Sequence, residues 1–369
     1  MNHFLVISRS GTHYKMGFQT GKQAKSLLFQ SIDKTIKKLK SMGVSDEQWF
    51  KFIYDCESCF DRYAPQLLDE LRGIADGSGA KYENVLINSM GLEFTSYFSD
   101  LTRKGMEDEQ AIKMTECTAF GVTGRGSKNG NTIVLQNVDS AKESLETYVI
   151  MRSRPARGNE FVSSNKIGYL PYNGLNEKGL CFGNNGVGLL PGEGGPGLPV
   201  ERKIAIILEE CSTVDEALDI YTSDRGGYSG WQGVNSIIGD LKGSLVRIGI
   251  TNKYFKVNDA SEEGITASTN HFHDPEMSSL NLPRDKYIST YLRYERAIEL
   301  LNDHKGNIDL FKIREFASDH KYGLKDTSIC RHGPKGWTYA SIESIPSKKT
   351  FWVSYENPCL RNWRGFTVG

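Results

Sequence analysis

Met114-Thr-Glu-Cys-Thr-Ala-Phe-Gly121, MTECTAFG, puts a cysteine behind an acidic residue and at the head of a β-like run, about a third of the way along 369 residues. What precedes it is helical in pattern. Residues 23–44 place Leu28, Ile32, Ile36, Leu39 and Met42 at steps of four and three with lysines between them, one face of an amphipathic helix. Ser45 with Gln48 makes a capping box for a second helix whose apolar face is Trp49, Phe52, Ile53, Cys56 and Phe60. Pro65 opens a third, through LLDELRGIAD to a stop at Gly77 or Gly79. Roughly the first 95 residues are therefore predicted to be mostly helical.

Beyond Met114 the pattern changes to short β-rich runs separated by glycine and asparagine turns: TAFGV, NTIVLQNV, GLCFG, VNSIIGD, SLVRIGI and KTFWVSY. They predict a largely antiparallel sheet. Two helices interrupt it, one started by the Thr213–Glu216 capping box and the other in YLRYERAIELLND, so helices and strands share one α+β unit. The segment Leu190–Leu198, LPGEGGPGL, reads as a surface loop and lacks the Gly-Lys-Ser/Thr ending of a phosphate-binding loop.

With 38% apolar and 24% charged residues the chain has globular composition, and 45 basic residues balance 45 acidic ones. No excess positive charge is present to draw a nucleic acid or an anionic membrane. The amino terminus holds four consecutive apolar residues, Phe4–Ile7, too few for a signal-peptide core, and no later run approaches the ~20 that a bilayer span needs. Seven cysteines (56, 59, 117, 181, 211, 330, 359) at irregular spacings, without an Asn-X-Ser/Thr sequon, fit a reducing compartment. The expectation is a cytoplasmic protein with free thiols.

If the two runs after Glu116 form a hairpin turning about Lys128, Cys117 faces Asp139; a turn at Asn129-Gly130 shifts its partner to about residue 142. Either register returns the chain near a cysteine at a strand head. A thiol there gains chemistry if the preceding peptide bond is broken, because the residue then carries a sulfur nucleophile and a free α-amine. That amine, of ordinary pKa about 7.7–8.0, can act as its own general base, and Asp139 would hold it by a charge-assisted hydrogen bond. The plain alternative is a buried strand cysteine.

A series of motifs runs through the chain: LRGIADGSG (71–79), ECTAFG (116–121), LQNVDS (135–140), GLNEKGLCFGNN (174–185), ASTNHF (267–272), STYLRYERAIELL (289–301), SICRHGP (328–334) and ENPC (356–359). In this order they resemble the penicillin acyltransferase-like cysteine N-terminal-nucleophile family, the isopenicillin-N acyltransferase-like proteins related to choloylglycine hydrolases. The resemblance implies an αββα sandwich and self-cleavage at Glu116–Cys117, with residues 1–116 retained as a small subunit and 117–369 as the catalytic region of one domain. It implies Cys117 as nucleophile, Asp139 as its positioning residue, Asn185 and Asn270 as amide donors to an oxyanion, and Arg293 beside the cysteine, with Arg296 a rival. Glu116 stands where the family often has glycine or aspartate.

The residues themselves support part of this. Asn173, Asn176, Asn184 and Asn185 crowd one strand, and a side-chain amide stabilises an oxyanion without needing an unusual pKa. Asn173 and Asn176 read as turn formers, and Asn270 as either a strand-end cap or an oxyanion donor. Cys56 and Cys59 lie on one helix without a second pair at metal spacing, and His271, His273 and Asp274 lack a further ligand nearby. Cys330-Arg-His332 reads as a structural signature. No metal and no cofactor is expected.

Two functions follow. One is an autoprocessed amidohydrolase or acyltransferase acting on a small-molecule amide or acyl thioester through a Cys117 acyl-enzyme. The other is an unprocessed, silent member of the same fold that binds a small ligand or serves as a structural subunit. Neither calls for nucleic acid or membrane, and a homo-oligomer stays open.

Overall fold

A computed structural model describes residues 3–102, 116–190, 192–224, 227–334 and 336–369. Met114 and Thr115 of the opening stretch, and Pro191 of the glycine-rich loop, lie outside the described residues.

Strand β1 (Leu5–Gly11) is followed by helices α1 (His13–Gln23), α2 (Lys25–Ser41), α3 (Asp46–Tyr63), α4 (Pro65–Ser78), α5 (Tyr82–Ser89) and α6 (Gly91–Thr102). The hairpin β2 (Glu116–Gly124) and β3 (Gly130–Ser140) comes next, then β4 (Tyr148–Pro155), β5 (Phe161–Lys166), β6 (Gly174–Asn176) and β7 (Cys181–Val187). Helices α7 (Val200–Glu210) and α8 (Val214–Tyr221) separate these from β8 (Gly233–Gly239), β9 (Leu245–Ile250), β10 (Phe255–Asp259) and β11 (Ile265–Ser268). The chain finishes with α9 (Pro275–Ser278), α10 (Ile288–His304), α11 (Leu310–Ala317), β12 (Trp337–Ile345), β13 (Thr350–Tyr355) and β14 (Trp363–Thr367).

Local chemistry sets the helix ends. Ser45 Oγ accepts from the Gln48 N–H and Gln48 Oε1 accepts from the Ser45 N–H, and Thr213 with Glu216 caps α8 in the same reciprocal way. Helix α4 starts on Pro65 and stops at Gly79, whose φ of +76° suits glycine. Within LRGIADGSG, Gly73 has a tertiary purpose as well. A Cβ there would land on the Tyr14 carbonyl oxygen of α1, so the two helices pack backbone to backbone.

The strands form two sheets, ordered β1-β4-β5-β6-β7-β8-β9-β10 and β11-β2-β3-β12-β13-β14. Neighbouring strands pair antiparallel except β1 with β4, which are parallel. The amino-terminal segment is mostly helical, as expected, and opens with the strand β1, whose partner lies about 144 positions away. Alternation then sorts side chains to opposite faces. Ala119, Val134 and Val138 of the second sheet meet Ile150, Val162, Leu175 and Ile237 of the first in a core between the sheets. On the outer face of the first sheet lie α2–α8, packed on Ile7, Val149, Met151, Phe161, Phe182 and Val234. Across the second sheet, α10 and α11 cover Phe120, Val122, Ile133 and Leu135. The result is helix, sheet, sheet, helix: the αββα sandwich. Among the described residues no helix is long and apolar enough to cross a membrane.

Candidate active site

The head of β2 is held from three directions. In the β2–β3 ladder Glu116 pairs with Asp139 and Cys117 with Val138. This corrects the expected Cys117–Asp139 pairing by one residue. The hairpin closes about Ser127, with Gly124 opposite Gly130, and a bulge between Val122 and Gly124 then shifts the pairing by one, which inverts the face a side chain takes. The Cys117 thiol thus points into the core between the sheets, while the Asp139 carboxylate lies on the opposite face of the second sheet, with Glu116. What stands close to Asp139 in the ladder is the peptide junction before Cys117.

Asn270, just beyond β11, accepts the Cys117 backbone N–H on its Oδ1 at 2.8 Å. The same oxygen accepts from Arg293 Nη2 at 2.9 Å, and Asn270 Nδ2 donates to the Gly186 carbonyl at 2.8 Å. Donors on one side and an acceptor on the other fix the orientation of this amide. Arg293, fully buried on α10, also donates from Nη1 to the Cys117 carbonyl oxygen at 2.6 Å and to Thr118 Oγ1 at 2.7 Å. Arg296 points elsewhere, onto Asp319 at 2.7 and 3.0 Å. The structure therefore brings Arg293, and not Arg296, to Cys117.

Asp139 Oδ1 accepts from Thr338 Oγ1 at 2.6 Å. Its buried Oδ2 has no hydrogen-bond partner among the described residues, and Arg331 Nη1 stands 3.9 Å away. Burial pushes this carboxyl up to about 6, against the pull of Arg331 and Arg293. The Cys117 thiol is pushed up to about 12, by burial first and by the charge of Asp139 next. A thiol so placed is a poor nucleophile until a base is supplied beside it. Asn185 on β7 donates from Nδ2 to Ser268 Oγ at 2.9 Å, and its buried Oδ1 has no partner among the described residues.

Two residues at the site were not singled out from the sequence. Arg331 is buried between Glu116, whose Oε2 it meets at 2.5 Å, and Asp139. It comes from SICRHGP, between Cys330 and His332, where no local pattern marks an arginine that reaches the head of β2. Gln136 reaches the Cys117 thiol and also binds the backbone N–H of Asn184 at 3.2 Å and its carbonyl. Alternation in LQNVDS offers the signal for it, since Gln136 shares the face of Val138, opposite Cys117. The rings of Tyr148, Tyr172 and Tyr339 stand near enough that, after burial, a charged Cys117 adds to the rise in their pKa values.

The other candidates resolve into structural parts. Asn173 Oδ1 accepts from the Ser164 backbone, and Asn176 caps the backbone of Lys178 and Leu180. His271 stacks on Tyr291 at 3.9 Å and His273 on Tyr294 at 3.8 Å. Burial holds His271 down to about 3 and depresses His273 too, so both rings are neutral packing groups. Cys56 packs on the buried face of α3. By contrast, His320, Cys330, His332 and Cys359, from separate segments of the chain, bring their ring nitrogens and sulfurs within 4.8 Å of one another.

The family model for acyl-coenzyme A:6-aminopenicillanic acid acyl-transferase matches residues 126–358, well over half of the chain. The chain belongs to this family. The span matched to the acyl-transferase model contains Asp139, Asn185, Asn270, Arg293 and Arg331, and Cys117 lies just upstream of it. Membership in the acyl-transferase family supports acyl transfer or amide hydrolysis as the chemistry. No curated protein matches the chain. Among solved structures, a mutant conjugated bile acid hydrolase from Clostridium perfringens is 12% identical, with a TM-score of 0.42, over 69% of this chain and 97% of the other. Penicillin V acylase from Agrobacterium tumefaciens is 13% identical, with a TM-score of 0.40, over 65% of this chain and 83% of the other. Likeness this distant assigns no residue a role.

Proposed function

We propose that the chain is an autoprocessed cysteine amidohydrolase or acyltransferase, with Cys117 as an amino-terminal nucleophile released by cleavage of the Glu116–Cys117 bond. The observation that best supports this is the grip on Cys117: Asn270 on its backbone nitrogen and Arg293 on its carbonyl oxygen. An ordinary core cysteine has no need of either. Glu116 is anchored by Arg331 at 2.5 Å and Arg293 at 3.3 Å, which would hold the residue before the scissile bond in place.

In the cleavage the Cys117 sulfur attacks the Glu116 carbonyl carbon, the C–N bond breaks as the nitrogen takes a proton, and water hydrolyses the thioester. Residues 1–116 then carry a new carboxylate, and residues 117–369 begin with a free amine. In turnover that amine takes the thiol proton, the thiolate adds to the substrate carbonyl, and the protonated leaving group departs from a thioester on Cys117. Water or an amine resolves the thioester. Asn270 and Asp139 would hold the amine, and Asn185 is the amide offered to the oxyanion. Tyr148, Tyr172 and Tyr339 suit an apolar or aromatic acyl group, as part of a small amide or an acyl thioester.

Mass spectrometry of purified protein tests the reading. Two fragments meeting at Glu116–Cys117 are expected, with Cys117→Ala remaining whole. An intact wild-type chain after long incubation sinks the autoprocessed enzyme and leaves a silent ligand-binding protein of the same fold.

A further inference from the structure

We infer that this protein carries a structural zinc site formed by His320, Cys330, His332 and Cys359. The four ligand atoms lie within 4.8 Å of one another. His320 Nε2 is 3.0 Å from His332 Nε2, and the latter is 3.4 Å from Cys330 Sγ and 3.6 Å from Cys359 Sγ. A tetrahedral zinc with bonds of about 2.3 Å to sulfur and 2.0–2.1 Å to nitrogen sets nitrogen pairs about 3.3 Å apart and sulfur–nitrogen pairs about 3.5 Å apart. The three spacings about His332 Nε2 lie close to these values, and the remaining pairs stay within 4.8 Å, a set that small side-chain movements close around one cation.

Hydrogen bonding among the four does not account for this convergence. His332 Nε2 faces three neighbours, yet a ring nitrogen has either one hydrogen or one lone pair and can serve only one of them. A cation takes all four lone pairs at once. Two thiolates also cancel the charge of a divalent ion, so the half-buried centre is neutral. Soft sulfur with imidazole in a tetrahedral array selects zinc over hard cations, and a set with no open position marks a structural site rather than a catalytic one.

The surroundings fit as well. Asn357 Nδ2 donates to Cys330 Sγ at 3.7 Å and to the Arg331 carbonyl at 2.8 Å, the outer support a ligating thiolate needs. The ligands come from three places: after α11, before β12, and the turn between β13 and β14. A metal there ties these segments together on both sides of Arg331, which faces Glu116 and Asp139. It thereby fixes the backbone that presents this guanidinium to the head of β2.

Elemental analysis of the full-length chain, purified with zinc supplied and then dialysed, tests the site, and Cys117→Ala serves equally because no catalysis is read. About one zinc per chain is expected, falling to roughly a tenth of that in Cys330→Ser with Cys359→Ser. In the wild-type protein, peptide mapping after thiol alkylation should find Cys330 and Cys359 protected until a strong chelator removes the metal, a readout that requires no variant to fold. Cobalt(II) in place of zinc should give thiolate charge-transfer and tetrahedral d–d bands. Zinc absent even after incubation with the ion, zinc retained in full by the double variant, or a Cys330–Cys359 disulfide in freshly reduced and repurified protein would each overturn the inference. Failure here leaves the cleavage result untouched, and the reverse holds too.

Discussion

Arg293 donates to the carbonyl oxygen of Cys117 at 2.6 Å across 176 positions of sequence, tying α10 to the head of β2. The guanidinium is fully buried, and its remaining hydrogens go to Thr118, Asn270, Glu116 and Ser289. Replacing it by Lys keeps the charge but loses the planar fork that reaches several acceptors together. Arg293→Lys should therefore slow self-cleavage in a denaturing-gel time course by at least tenfold and lower stability by about 1–3 kcal/mol in urea unfolding. Wild-type cleavage and stability in this variant would reduce Arg293 to a bystander.

The two amides separate by assay. In fully processed protein, Asn185→Leu should lower the single-turnover acylation rate by about 10²–10³-fold with little change in substrate binding, as expected of an oxyanion donor. For Asn270→Leu, loss of the acceptor at the Cys117 nitrogen should also shift the acidic limb of the pH–rate profile, which reports the free amine. An unchanged acylation rate in both variants would pass the oxyanion to backbone N–H groups near Cys117.

Asp139 links function to stability with opposite signs. Its folded pKa, about 6, lies above the ordinary 3.8 because burial disfavours the charge. The folded state thus holds the proton more tightly, and the associated stability, complete below pH 3.8, is lost as pH rises through about 6. In a Cys117→Ala background, which keeps the chain whole, Asp139→Asn should be more stable than its parent at pH 7.5 by about 1–3 kcal/mol, with the gap closing toward pH 4. With Cys117 present the same change should sharply lower amide turnover. Equal urea midpoints at both pH values would show the carboxylate to be fully compensated.

A second pH effect belongs to the helical layer. His13 lies between Glu70 at 3.4 Å and Glu209 at 3.2 Å. Burial works against its charge, but hydrogen bonds to Glu209 and Glu70 outweigh it and lift the imidazole to about 10. The folded pKa is raised, so this contribution is complete below pH 6.5 and lost as pH rises toward 10. His13→Gln should cost on the order of 2 kcal/mol at pH 6.5 and much less at pH 9.5, measured by urea unfolding at each pH. A penalty independent of pH would mean that His13 contributes by packing alone.

Local code carried much of this protein. The capping boxes at Ser45 and Thr213, Pro65 at the start of α4, Gly79 at its end and the apolar period of residues 23–44 act within a few residues of chain, and each is where the sequence places it. The order of motifs likewise pointed to the layered sandwich and to a family whose model the chain matches. Tertiary structure decided what depends on parity and distance. A turn centred on Ser127 and one bulge between Val122 and Gly124 together set Glu116, rather than Cys117, opposite Asp139, and the odd step puts the Cys117 and Asp139 side chains on opposite faces. Only long-range packing could choose Arg293 over Arg296, bring Arg331 and Gln136 to the site, or gather His320, Cys330, His332 and Cys359. Such partners lie beyond the reach of any local pattern, and their contacts exist only once both sheets and their helices have closed.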